Sequence, residues 1–238
     1  MSAPQAFAPH VLYEDNHLLA VCKPPMMPVQ ADASGDLDLL GACKAYIKEA
    51  YQKPGAVFLG LVHRLDRPVG GVMVFARTSK AAARLQKQMQ AGQWQKKYLA
   101  VVEGLPQDAA TLEDHLHKDP QTHSSQVVAA HHPAGKPARL HYQCLGKQGG
   151  LALLSIDLYT GRHHQIRVQL SSRGLPIWGD ARYNPHSRPG QPIALWAHSL
   201  TLLHPTKGET LSLCVPPPVQ APWDVFPPAA NLEDQGLC

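Results

Sequence analysis

The sequence predicts an α+β fold, and three observations carry that prediction. Residues His10 to Lys23 alternate apolar and polar positions around the Asp15-Asn16 pair, the pattern of a β-hairpin. Two segments, Asp36 to Tyr51 and Thr78 to Gly92, repeat apolar residues at helical spacing. Between and beyond them stand apolar runs of strand length: Val57 to Val62, Gly71 to Ala76, Tyr98 to Val102 and Leu151 to Tyr159.

In chain order, the hairpin comes first. Asp36 can cap the helix that follows, whose stripe is Leu39, Leu40, Cys43, Ile47 and Ala50. Two apolar strands then flank the run His63-Arg64-Leu65-Asp66-Arg67. Thr78 or Ser79 caps the second helix; Ala81, Leu85 and Met89 form its buried stripe, Arg84 and Lys87 face outward, and Gly92 ends it. Tyr98 opens the next strand. Gly104 to Gly150 is polar and His-rich, and is expected to form peripheral strands with long loops. Leu151 to Tyr159 is a strand, followed by a Thr-Gly turn and a helix from His163 to Arg173 stopped by Gly174. On that helix His163, Arg167 and Ser171 share a face, with Ile166 and Leu170 on a neighbouring one. The Pro-rich stretch from Pro216 to Pro228 terminates the fold, and residues 229–238 read as a loose tail. No repeat or linker interrupts the chain, so residues 1–228 are expected to form one domain.

Composition excludes several classes. At 238 residues, 44% hydrophobic and 17% charged, the chain has ample length for a core and the balance of an ordinary soluble protein. No apolar run approaches the roughly 20 residues of a membrane span. The first nine residues lack a basic segment and an apolar core, so no signal peptide is expected and the cytoplasm is the expected compartment. Five cysteines, scattered and never in a C-x-x-C pair, read as reduced thiols and not as a disulfide frame or zinc site. Fourteen histidines show no recurring acidic or cysteine partner at ligand spacing, so they read as solvated loop histidines and no metal is expected.

Charge is distributed unevenly. His63 to Lys97 carries eight Lys/Arg against Asp66 alone, and Gly161 to Gly190 carries five arginines against Asp180. These windows hold +7 and +4, and the rest of the chain −7. Two solvated helix faces would not exclude acids so selectively; a surface for a polyanion does. Asp66 itself stands between apolar strands and is bracketed by Arg64 and Arg67. An unpaired charge is costly to bury, which suggests a carboxylate kept ionised for use. A turn aspartate bonding its own backbone is the other reading of those residues.

The motifs gain meaning together. His63-Arg64-Leu65-Asp66, Lys96-Lys97-Tyr98-Leu99-Ala100-Val101-Val102-Glu103-Gly104 and Thr160-Gly161-Arg162-His163-His164-Gln165-Ile166-Arg167-Val168 stand in that order. An opening hairpin ending in Lys23-Pro24, and a closing block at Ala194 to His198 with His204-Pro205, flank them. The set closely resembles the RluA-type pseudouridine synthases, whose signatures read HRLD-x-x-[TS]-x-G and TGR-x-HQIR-V. The resemblance runs from about residue 10 to about residue 226. It departs at Arg67-Pro68-Val69-Gly70-Gly71, where the family usually carries a hydroxyl-bearing run, and at Pro25-Met26-Met27, where a glycine commonly stands.

The resemblance implies a mixed, largely antiparallel central sheet with flanking helices and a basic active-site cleft. It implies an enzyme that isomerises uridine in structured ribosomal or transfer RNA; that reaction involves no redox change, so no cofactor is expected, and a monomer is the default expectation. Asp66, Tyr98 and Arg167 match the catalytic aspartate, tyrosine and arginine. Tyr98 would stack on an extruded uracil, and Arg64 would help fill the gap the base leaves. Arg67, Arg84, Lys96, Lys97, Arg162, His164, Gln165 and Arg182 are the further RNA-contact candidates, mostly through the backbone. No small RNA-binding module is expected before the hairpin, because hairpin, helix and strand use up the residues before Asp66. Two other readings compete with this one. A non-catalytic RNA-binding protein would need only the basic residues. A glycoside hydrolase normally needs two carboxylates, and the cationic windows offer only Asp66 and the turn residue Asp180.

Overall fold

The hairpin forms as its alternation requires. Strand β1 (His10–Glu14) pairs antiparallel with β2 (Leu18–Lys23), and Asp15 closes the turn by accepting from the backbone N–H of His17 and Leu18 at 2.7 and 2.8 Å. The computed structural model describes residues 7–226, so the tail expected at 229–238 lies outside the described residues. The described chain groups into two units. The first runs through Trp94 and takes in Thr201–Val215; the second comprises Gln95–Leu200 and the residues from Pro216 on.

In the first unit, β2 pairs antiparallel with β4 (Gly70–Ala76) from Leu18↔Ala76 to Lys23↔Gly71, and β3 (Gly60–Leu61) joins the other edge of β4. All seven residues of β4 are buried, as are Leu18 to Val21, which makes this hairpin-plus-strand the centre of the unit's core. Helix α1 (Leu39–Ala50) buries Leu39, Cys43 and Ile47; α2 (Ser79–Gln90) buries Ala81 and Leu85. Thr78 caps α2 as expected, its hydroxyl accepting from Ala81 N–H at 3.1 Å. The cap of α1 is Asp38, not Asp36: its carboxylate accepts from Gly41 N–H at 2.9 Å, two residues later than the sequence suggests. The Val57–Val62 strand shortens to Gly60–Leu61.

The second unit contains an antiparallel run in the order β5 (Gln95–Glu103), β9 (Leu151–Leu158), β8 (Lys136–Gln148), β6 (Ala109–Lys118), β7 (Ser125–Val128). The segment expected as peripheral strands with long loops is thus mostly sheet. Along β8 the buried residues Ala138, Leu140 and Tyr142 alternate with half-buried or exposed ones, and the polar outer positions mask the inner stripe. The short helix α3 (Gln165–Ser171) lies against this sheet, Val168 packing with Leu116 and Ala138. It begins later than the sequence suggests because His164 adopts a left-handed conformation, φ 52°. Strand β10 (Leu195–Leu203) has its residues through Leu200 in the second unit and the rest in the first; β11 (Thr210–Cys214) pairs with it.

Cys22, Cys43 and Cys144 are free thiols, as the sequence suggests, and Cys238 lies outside the described residues. Among the described residues no helix is long and apolar enough to cross a membrane, and no three His, Cys, Asp or Glu side chains gather as a metal site.

Candidate active site

Asp66 sits on the loop between β3 and β4 and is half-buried. Its carbonyl accepts from Val69 N–H at 3.0 Å, closing a turn over Arg67-Pro68. The loop is anchored from below by a residue that the motif reading did not single out. Lys23, the last residue of β2, is completely buried, and its ammonium donates to the carbonyls of Pro24, Met27 and Arg67 at 2.9, 2.7 and 2.9 Å. Three acceptors match the three N–H groups of an ammonium; a neutral amine could serve only two. Burial pulls its pKa down to about 7, while the Asp66 carboxylate pulls it up and Arg67 pushes it down. His63 braces the same segment: its Nε2 accepts from Val74 N–H at 3.0 Å, so that nitrogen carries no proton, and its ring meets Trp94 edge-on at 5.2 Å.

The cations of this unit differ in their engagement. Arg64 is exposed. Arg84 is exposed along α2 but donates to the Pro205 carbonyl at 2.8 Å. Arg67 turns onto the loop before α1, where it bonds Asp36, Ser34 Oγ at 3.1 Å and Asp32 at 3.4 Å.

In the second unit, strand alternation sorts the neighbours Lys96, Lys97 and Tyr98. Tyr98 lies opposite Ile156 and shares its side of the sheet with Lys96; Lys97 lies opposite Asp157 and pairs with it at 3.7 Å on the other side. Burial lowers the pKa of Lys96, whose Nζ lies close enough to Gly161 that a Cβ there would come within 3.7 Å. The Thr160-Gly161-Arg162 turn is shaped by Gln165. Its Oε1 accepts from Thr160 Oγ1 at 2.7 Å and Arg162 N–H at 3.0 Å, and its Nε2 donates to the Arg139 carbonyl at 3.1 Å. Gln165 is 2% exposed, so it acts here on the chain's own backbone. Arg162 is exposed, with Nε on the Pro137 carbonyl at 2.9 Å.

Arg167 is buried, as its packed helix implies. Nε and Nη2 donate to the two oxygens of Asp180 at 2.8 and 2.7 Å, a bidentate pair in which Asp180 is 1% exposed. Asp180 also accepts from the backbone N–H of Arg182 and Tyr183 at 3.0 and 3.3 Å. It is therefore both the turn residue that the sequence suggests and the partner of Arg167. Gly179, just before Asp180, has φ 73° and lies where a Cβ would run into the Pro192 carbonyl, so the turn needs glycine there. Tyr183 stacks its ring 5.2 Å from the Arg167 guanidinium, accepts from Ser125 N–H at 2.7 Å, and bonds His164 Nδ1 at 2.8 Å. His163 and His164 stack at 3.7 Å. Arg182 is exposed, with Nη1 on the Thr122 carbonyl at 2.7 Å. Asp66 is thus carried by the first unit, and Tyr98 and Arg167 by the second.

Comparison with known proteins identifies the family of the chain. The family model described as RNA pseudouridylate synthase matches residues 17–172, a span that includes Lys23, Asp66, Tyr98 and Arg167. An uncharacterized RNA pseudouridine synthase of Chloroflexus aurantiacus is 38% identical over 161 residues, covering 67% of this chain and 50% of that protein. The ribosomal large subunit pseudouridine synthase D of Yersinia pestis is 34% identical over 223 residues, covering 87% of this chain and 66% of its own length. The chain therefore spans between half and two thirds of these relatives. The human RNA pseudouridylate synthase domain containing 4 shares the fold with a TM-score of 0.74 at 24% identity, covering 88% of each chain. The strands of this chain form the largely antiparallel sheet that the motifs imply. The chain belongs to the RNA pseudouridylate synthase family, of the RluA type.

Proposed function

We propose that the protein converts a uridine of ribosomal RNA to pseudouridine, with Asp66 as nucleophile. The observation that carries this reading is that Asp66, Tyr98 and Arg167 all fall within the matched span, each in its motif. In the reaction the bond from C1′ to N1 of uracil breaks, a bond from C1′ to C5 forms, C5 loses a proton and N1 gains one. No electron enters or leaves, so the chemistry calls for no redox cofactor. A carboxylate can form the covalent intermediate that releases the uracil for rotation. The Lys23 ammonium ties the Asp66 loop, through the Arg67 carbonyl, to the segment that follows β2, and Asp180 holds Arg167 in one orientation as the supporting cation. A uridine in structured RNA has to leave its stack first, and Tyr98 offers the ring on which the flipped base rests.

Arg64, Arg84, Arg162, His164, Arg182 and Lys96 serve the RNA backbone and the gap left by the base. Lys96 is the stronger candidate of the lysine pair because it shares a face with Tyr98. The names of the relatives favour large-subunit ribosomal RNA; transfer RNA is the second substrate class. Mapping pseudouridine in a strain lacking the protein, and in that strain complemented with Asp66→Asn, tests the proposal. A site absent from both and restored by the unaltered protein is the expected result. A site restored by Asp66→Asn refutes the nucleophile, and a full set of pseudouridines in the deletion strain refutes the function.

A further inference from the structure

Arg67 follows Asp66 directly, and its main chain is held by Lys23 through the carbonyl. Its guanidinium is surrounded by oxygens of one short loop: the carboxylates of Asp36 and Asp32 and the hydroxyl of Ser34. We propose that this acidic loop is a displaceable stand-in for RNA phosphate on Arg67, which keeps the arginine from weakly held polyanions until substrate RNA takes its place. The proposal rests on the RNA reading above and adds how that site is regulated.

Four features support it. The planar guanidinium fork accepts carboxylate and phosphate oxygens with the same geometry, so one ligand can replace the other. The pairs are open to solvent, with side-chain exposure of 37% for Arg67, 44% for Asp32 and 54% for Asp36, and exposed pairs hold weakly. The loop can let go without leaving Asp32 unsatisfied, because Asp32 also accepts from Ser34 N–H at 2.9 Å. Asp36 has no duty at the helix start, since Asp38 caps α1. Two acids on one arginine leave the cluster net negative, so in the latched state the ground beside Asp66 repels a polyanion. RNA that engages the other cations supplies enough phosphate to compete.

The test is a double-mutant cycle on the full chain, read as binding of labelled polyuridylate across a salt series. Asp32→Asn with Asp36→Asn keeps the shape of the loop and removes its charge. That variant is expected to bind about fivefold tighter and to steepen the slope of log K against log salt by about 0.7, one single-strand phosphate contact. Arg67→Ala in the unaltered protein should change binding by less than about twofold, because Arg67 is occupied there. In the Asn background the same change should abolish the gain in affinity and in slope. Equal effects of the Asn changes with and without Arg67 would mean general charge alone and would overturn the latch. Weaker binding by the Asn variant would also overturn it, making the loop a scaffold. If none of the proteins binds RNA in a salt-dependent way, and the unaltered protein makes no pseudouridine, the functional reading falls and takes the latch with it.

Discussion

Lys23 closes the first motif block, but its sequence context gives it no role, because its partners are backbone carbonyls and one of them lies 44 residues away. Its pKa of about 7 in the fold against 10.5 when free makes two opposite predictions. Between those values the unfolded chain binds the extra proton, so this residue makes stability rise with pH from about 7 to about 10. Activity should move the other way, since loss of the proton removes one of the three Lys23 bonds that together tie the Arg67 carbonyl, and with it the Asp66 loop, to the segment after β2. Chemical denaturation and single-turnover rates measured from pH 6 to 10 check both, and Lys23→Met should abolish the stability trend. Arg167 carries a different risk. Replacing it with Met strands a buried carboxylate at Asp180, at a cost of about 3–5 kcal/mol, so lost activity would reflect lost fold. Arg167→Lys keeps the charge and part of the pairing; it should retain some turnover with RNA binding unchanged. A lysine variant that is fully active would show that the planar fork is dispensable.

At the scale of elements, the helix start before Leu39 separates two aspartates that look alike in sequence. Asp38→Ala should cost about 1 kcal/mol of stability as a lost cap, whereas Asp36→Ala should leave the denaturation midpoint within about 0.5 kcal/mol of the parent. The strand β5 supplies a second contrast. If Lys96 rather than Lys97 serves RNA, Lys96→Ala should flatten the salt dependence of binding by about one contact and Lys97→Ala should not. That distinction was available in the sequence, because neighbours in a strand face opposite ways, yet only the register with β9 shows that Lys97 meets an acid. Elements with a one-sided apolar pattern, the β1–β2 hairpin, β4, α2 and β9, are legible from sequence. The strands β6 and β8 are not, because their outer faces carry the polar and histidine residues that read as loop.

For the whole molecule, the +7 and +4 windows mark which segments bear the chemistry, but much of that charge is engaged within the fold. Arg67, Arg167, Arg77 and Arg173 each pair with an acid. Arg84, Arg162 and Arg182 each donate to a carbonyl. The net count in a window therefore overstates what is offered to a ligand. The proposed set of Asp66, Tyr98 and Arg167 is legible because its motifs are local; the side chains that brace it are not, because Lys23, Asp180 and Tyr183 act through partners that only the folded chain brings near. Family membership follows from the order of motifs, whereas the assembly of two units from segments that cross over at β10 has no local signature.

A lysine with no exposed surface has a consequence for measurement. An amine-reactive reagent cannot reach Lys23 in the closed fold, so its acylation requires the local structure to open. Once solvated it should react like any surface lysine, and the ratio of its labelling rate to that of exposed Lys80 or Lys118 then equals the open fraction. The buried side chain thus serves as a clock for the breathing of the loop that carries Asp66. Bound RNA that docks on that loop should slow the clock, and the factor by which it slows gives the coupling between substrate binding and loop opening without any turnover being required.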